Sequence, residues 1–273
     1  AAIGAVLLSA AGVAPPDVDA GRRGLAALGT WVPTTPAPPG IVDIAVGDAD
    51  HAWAITSSDA WALEGGEWIE VDHPGLPGDV LTSLYARDVD HVWLGGFRST
   101  VVDGAPCDCG FLWRWDSAAW TVEQSVIPLA IADVAIPADD FGLVVGRSGM
   151  PGGARSLQWD GVQWLPVAFD AGGRSSHLAA ASAASAWAVG LDRNIGLFRF
   201  NAGAWTEWPL GDASTIAAMD MFGDDFGVAV QSDGGVHHWD GSRWQRRGLP
   251  ISVPLRDVAV ASADEGWAVG AGS

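Results

Sequence analysis

Asp43, Ser83, Asp133, His177, Ala218 and Asp257 recur at separations of 40, 50, 44, 41 and 39 residues. Three carboxylates, a hydroxyl and an imidazole at equivalent places in a repeat form a partial ring wherever that place faces a common axis. Like charges there repel and raise one another's pKa unless water, Arg256 or a cation intervenes. Oxygen-rich coordination favours calcium over zinc, so Asp43, Asp133 and Asp257, with Ser83 or His177, form a candidate calcium site. A plain polar channel filled by water is the simpler expectation, and the cofactor is left open.

The spacing belongs to a repeat. Ten residues after each ring position stands an aromatic or apolar marker: Trp53, Trp93, Leu143, Trp187, Val228 and Trp267. A second marker follows at Trp68, Trp120, Trp164, Trp205 and Trp244. Short apolar runs, acidic turns and Gly-rich hairpins between them read as four strands per copy. A four-stranded sheet of this size cannot bury both faces alone, so the copies stack radially. The expected fold is all-β, a six-bladed β-propeller with the last blade closed by N- and C-terminal strands.

One domain is expected over 1–273. Blades fall at 41–75, 80–125, 129–170, 176–211 and 215–250, and a closing blade combines 21–35 with 255–273. In that closing blade Gly24–Leu28 and Thr30–Thr35 supply the later strands, and Trp31 matches Trp68 and Trp244. Ala1–Ala14 is apolar without a basic leader, so 1–20 reads as an arm padding the closing blade; a signal remnant, an amphipathic helix or a lipid-facing anchor are alternatives. No run is long enough to span a bilayer, so no transmembrane span is expected, and peripheral membrane association stays open.

The 273 residues hold 16 Trp and 1 Tyr, and most Trp sit at repeat positions, as blade-to-blade packing requires. The basic residues are 14 Arg against 33 acidic side chains, and a net charge of −19 repels a nucleic-acid backbone. Asp50, Asp90, Asp140, Asp225 and Asp264 recur three residues before a marker and read as turn caps. His51 and His91 occupy the same place in adjacent copies. His237 and His238 sit side by side on one strand and so point to opposite faces, against a joint ligand role.

The second and third copies carry insertions at one structural position, Gly96–Gly110 and Arg147–Arg155, which puts both on one face of the disc. Loops added to a rigid scaffold are where binding is built, so Phe97, Arg98, Asp103, Cys107, Asp108, Cys109, Arg147 and Arg155 are the candidate binding residues. Cys107-Asp-Cys109 is the one cysteine pair, compatible with a small disulfide ring, reduced thiols or, least well, a metal. No phosphate loop, nucleophile elbow or isolated carboxylate pair gives any residue a catalytic case.

Trp187-Ala-Val-Gly190, Trp267-Ala-Val-Gly270, Trp159-Asp-Gly-Val-Gln-Trp164 and Trp239-Asp-Gly-Ser-Arg-Trp244 resemble the repeats of bacterial β-propeller families, distantly similar to Asp-box propellers. The Asp box itself does not recur. The resemblance implies a secreted or surface-associated protein located outside the cell, at its surface or in the periplasm. The expected function is a non-catalytic binding or scaffold propeller that takes a protein subunit or a surface glycan on its loop-rich face. The alternative is a secreted glycan-active hydrolase or lyase with its site at the channel mouth.

Overall fold

The computed structural model describes residues 5–11, 30–34, 38–48, 51–64, 67–149, 155–169, 174–191, 196–209, 216–247, 254–263 and 265–271. They form strands and connecting turns. Near the N-terminus lie β1 (Ala5–Ala11) and β2 (Thr30–Thr34). The first blade is β3 to β6 (Asp43–Val46, Ala52–Ile55, Ala60–Glu64, Glu67–Val71) and the second β7 to β10 (Val80–Asp88, His91–Val102, Ala105–Trp115, Trp120–Ile127). The third is β11 to β14 (Leu129–Ala138, Phe141–Ser148, Ser156–Trp159, Trp164–Pro166). The fourth is β15 to β18 (Arg174–Ser182, Ser185–Leu191, Gly196–Asn201, Ala204–Trp208) and the fifth β19 to β22 (Ile216–Met221, Gly227–Gln231, Val236–Trp239, Trp244–Arg247). The chain returns in β23 (Leu255–Ser262) and β24 (Glu265–Ala271).

The blade count expected from the sequence is corrected by the sheet order. Five blades, not six, are continuous antiparallel meanders of four consecutive strands. The remaining four strands make a composite terminal sheet in the order β2-β1-β24-β23, with β23 innermost and between the fifth and first blades. Its third strand is Ala5–Ala11, which pairs with β24 from Ala5 opposite Ala271 to Ser9 opposite Trp267. The segment read as a padding arm is therefore part of a sheet. A short apolar run carries no period that separates a strand from a packed arm, so the sequence leaves both open. Gly24–Leu28, expected to fill that place, lies outside the described residues.

Between neighbouring sheets the core divides into separate clusters. Trp53, Leu94 and Trp113 join the first and second blades, and Trp93, Leu112 and Leu157 the second and third. Leu143, Phe198 and Phe200 join the third and fourth. Trp187, Trp239 and Trp244 join the fourth and fifth, with ring centroids 4.8 to 5.7 Å apart. The Arg199 guanidinium lies 5.4 Å above Trp187 and 5.8 Å above Trp239. Trp53, Trp93, Trp120, Trp187, Trp205 and Trp244 thus serve packing between sheets, as their repetition requires.

The inner strands bring their free edges to a central channel. An edge strand presents unpaired N–H groups, and here they cannot meet another strand because the next blade is rotated away. A bulge precedes the ring position in five of the inner strands, after Leu81, Ile131, Ser175, Ile216 and Leu255. The extra residue bends each strand and re-aims the side chain that follows it.

Candidate functional site

The ring residues line the channel, but the side chains of Asp43, Ser83, Asp133 and Asp257 are occupied with the next sheet. Asp43 takes Leu84 N–H at 2.5 Å, Asp133 takes Leu178 N–H at 2.6 Å and Asp257 takes Ile44 N–H at 2.7 Å. The other oxygen of each accepts the N–H of its own successor, Ile44, Val134 or Val258, at 2.8 to 2.9 Å. Ser83 accepts Val134 N–H at 2.9 Å and donates its hydroxyl to Asp133 at 2.7 Å. The ring is a set of latches in which the first three blades and the terminal sheet each cap the exposed edge of the next sheet. That is a stronger reason for repeated acids than solvation alone, because a buried N–H without an acceptor costs about 1–3 kcal/mol.

Sequence alignment places Ala218 at this position in the fifth blade and misses the acid that does its work. Asp220, two residues on and so on the same face of the strand, takes Val260 N–H at 2.7 Å and Met221 N–H at 2.8 Å. A period-2 scan beside each ring position would have found it. Tyr85 was missed too; its hydroxyl donates to the Ala180 carbonyl at 3.3 Å, joining the second blade to the fourth across the channel.

Burial raises the carboxyl pKa values. Asp133 is pushed well above the usual range by burial and then by the charge of Asp43. Asp43 is raised by burial and by the neighbouring Asp257, which shares the Ile44 N–H with it. Burial lifts Asp220 and Asp257 to about 7. The same burial lowers His177 to about 4, so its imidazole is neutral at pH 7. Among the described residues no three His, Cys, Asp or Glu side chains converge as metal ligands. The oxygens of the calcium candidate Asp43, Asp133, Asp257 and Ser83 are spent on N–H groups, and His177 makes no hydrogen bond to them.

The β8–β9 hairpin, and the described ends of the second insertion, Arg147–Gly149 and Arg155, lie on the face where the inner strands begin. The β8–β9 hairpin turns at Asp103-Gly104, both with positive φ (50° and 80°), the Asp-Gly signature of a two-residue hairpin. Arg147 reaches from the third blade to Asp108 at 2.6 Å and stacks 5.3 Å over Phe97, while Ser99 donates to the same Asp108 at 2.5 Å. These donors hold the Asp108 carboxyl below its ordinary pKa, Ser99 first and Arg147 next. Asp108 N–H also meets the Gly149 carbonyl at 3.1 Å. Arg98 binds the buried Asp79 at 2.8 Å and lies 5.3 Å over Phe111. Cys107 and Cys109 form a disulfide on the buried side of β9.

Most of the eight candidate binding residues therefore brace the hairpin. Arg155 contributes its carbonyl to Gly146 N–H, and Asp103 stands at the exposed tip beside Val101, which is 65% exposed. On the opposite face, other acids cap the turns. Asp48 and Asp88 hold His51 and His91 at 2.8 and 2.7 Å, and Asp116, Asp160 and Asp240 cap the second turns. Asp90 instead accepts the Ser117 hydroxyl at 2.6 Å. Asp50 and Asp264 lie outside the described residues.

No protein-family model matches the chain, and no curated protein sequence matches it. Solved structures do. The RRP9 WD40 repeats superpose with a TM-score of 0.58 at 11% identity, covering 89% of this chain and 84% of that one. YCF48 from Cyanidioschyzon merolae gives 0.54 at 17% identity, covering 84% and 76%. A structure of YCF48 bound to D1 peptide gives 0.52 at 16% identity, covering 85% and 76%. At these identities the likeness is one of fold: the chain is a β-propeller.

Proposed function

We propose that this propeller is a non-catalytic binding module that docks a protein or peptide partner on the face carrying the β8–β9 hairpin. The observation that carries the reading is the bracing of that hairpin. Arg147, Asp108, Ser99, Phe97 and the disulfide hold an arm well beyond the length of the other blades' hairpins, and the arm ends in exposed Val101. A pre-ordered arm loses little entropy on binding, which is the use of such bracing. YCF48, similar in fold, is seen with a peptide bound, which agrees with a peptide-binding reading. The charge of −19 favours a partner with basic side chains over nucleic acid.

The disulfide supports maturation in an oxidising compartment, hence a location outside the cytosol. Among the described residues no helix is long and apolar enough to cross a membrane. A glycan-active site at the channel mouth would need carboxylates free to move protons, whereas those of Asp43, Asp133 and Asp257 are held by backbone N–H groups. A photo-reactive residue at position 101 should cross-link a partner in extracts of the source cells. The same residue at Val162, 81% exposed on the other face, should not. Equal cross-linking from both positions would remove the assignment of the face.

A further inference from the structure

The latch is complete at every junction but one. The N–H groups of Ile44, Leu84, Val134, Leu178 and Val258, each directly after a ring position, all have a carboxylate or hydroxyl acceptor. The sixth, Met219 N–H, has none among the described residues. Two residues cause this. The preceding blade offers His177 where the first three blades and the terminal sheet offer Asp or Ser, and Ala218 has no polar atom to cap its own successor. The His177 imidazole likewise makes no hydrogen bond among the described residues, and the neighbouring Ser176 hydroxyl is buried without a partner.

These groups line one cavity. It has a volume of about 330 Å³ and includes Ser176, His177, Met219 and Arg256 in its wall. That size lies within the range of small-ligand sites. We propose that the cavity binds a carboxylate ligand at this gap, one oxygen accepting Met219 N–H and the other the His177 ring N–H. The ligand would supply the acid that the fourth blade lacks, in the place that Asp133 takes against Leu178 one junction earlier. Arg256, exposed on the side where the inner strands begin and without an ion pair among the described residues, provides the positive charge at the entrance. The raised pKa values of the surrounding acids reduce the negative charge that an anion would meet.

The cavity opens on the same side as the β8–β9 hairpin but shares no lining residue with it, so either assignment can fail alone. Two sources present the same chemistry, a small organic acid and the C-terminal carboxylate of a peptide. The test follows the Met219 amide in ¹⁵N–¹H spectra while succinate, trialanine and trialanine amide are added separately. Saturable movement of the Met219 signal is expected with succinate, with trialanine, or with both, which identifies the source, and none with the amide. His177→Asp places a carboxylate in the gap from the chain itself, so it should move the Met219 signal without ligand and weaken carboxylate binding at least about tenfold. Ala218→Asp serves the same purpose if His177→Asp does not fold. A Met219 signal unmoved by any carboxylate means channel water only and overturns the proposal. So does equal binding of trialanine amide, or full affinity in both variants.

Discussion

A single aspartate in the channel does three things at once, and that makes it costly to lose. Asp133 accepts Leu178 N–H, Val134 N–H and the Ser83 hydroxyl. Asp133→Ala leaves buried donors without acceptors and should cost about 2–4 kcal/mol in urea unfolding, while Asp133→Asn, which keeps an oxygen, should cost less. Because the oxygens are already engaged, chelation followed by added calcium should leave the unfolding temperature unchanged; a rise with calcium that Asp133→Ala abolishes would restore the cation reading. The pH response has a definite sign. Asp220 and Asp257 titrate near 7 in the fold against 3.8 for a free carboxyl, so between those values the folded chain binds more protons than the unfolded one. Stability contributed by these groups is full below pH 3.8 and falls as pH rises towards 7. The unfolding temperature should climb as pH is lowered from 8 to 5, and Asp220→Asn should flatten part of that slope.

At the scale of elements, the β8–β9 hairpin shows stiffness placed where the core gives none. A disulfide that closes so short a stretch constrains the unfolded chain weakly, by about 1.5 kcal/mol on a chain-entropy basis. Cys107→Ser with Cys109→Ser should therefore lower global stability by no more than about that amount, read in denaturant. Amide exchange in 98–106 should accelerate far more than exchange in β11. Arg147→Ala should act similarly by freeing Asp108 from the third blade. Equal effects on the hairpin and the whole fold would mean that the hairpin is part of the cooperative core.

The whole molecule depends on a junction that the repeat does not supply. The terminal sheet draws β1 and β2 from one end of the chain and β23 and β24 from the other. Deleting residues 1–11 should expose the β24 edge, lower the unfolding temperature and promote self-association detectable by light scattering. A monomer of unchanged stability would show that β1 contributes nothing to closure.

The residue pattern alone determined that the chain is all-β, that its copies stack radially, and that Asp43, Ser83, Asp133, His177 and Asp257 occupy equivalent places in the repeat; that these places face the channel came from the structure. The first three follow from local hydrophobic alternation and spacing, which a sequence displays directly. It did not show that Ala5–Ala11 enters the terminal sheet, because a short apolar run has the same appearance in a strand and in a packed arm. Nor did it distinguish acids that hold a cation from acids that hold backbone N–H groups, or reveal Asp220 standing in for Ala218. Those outcomes depend on which edge each bulge turns towards its neighbour, a matter of a few ångströms between strands far apart in the chain. Only the tertiary structure decided them, because only there do Asp133 and Leu178, or Asp220 and Val260, meet across a junction.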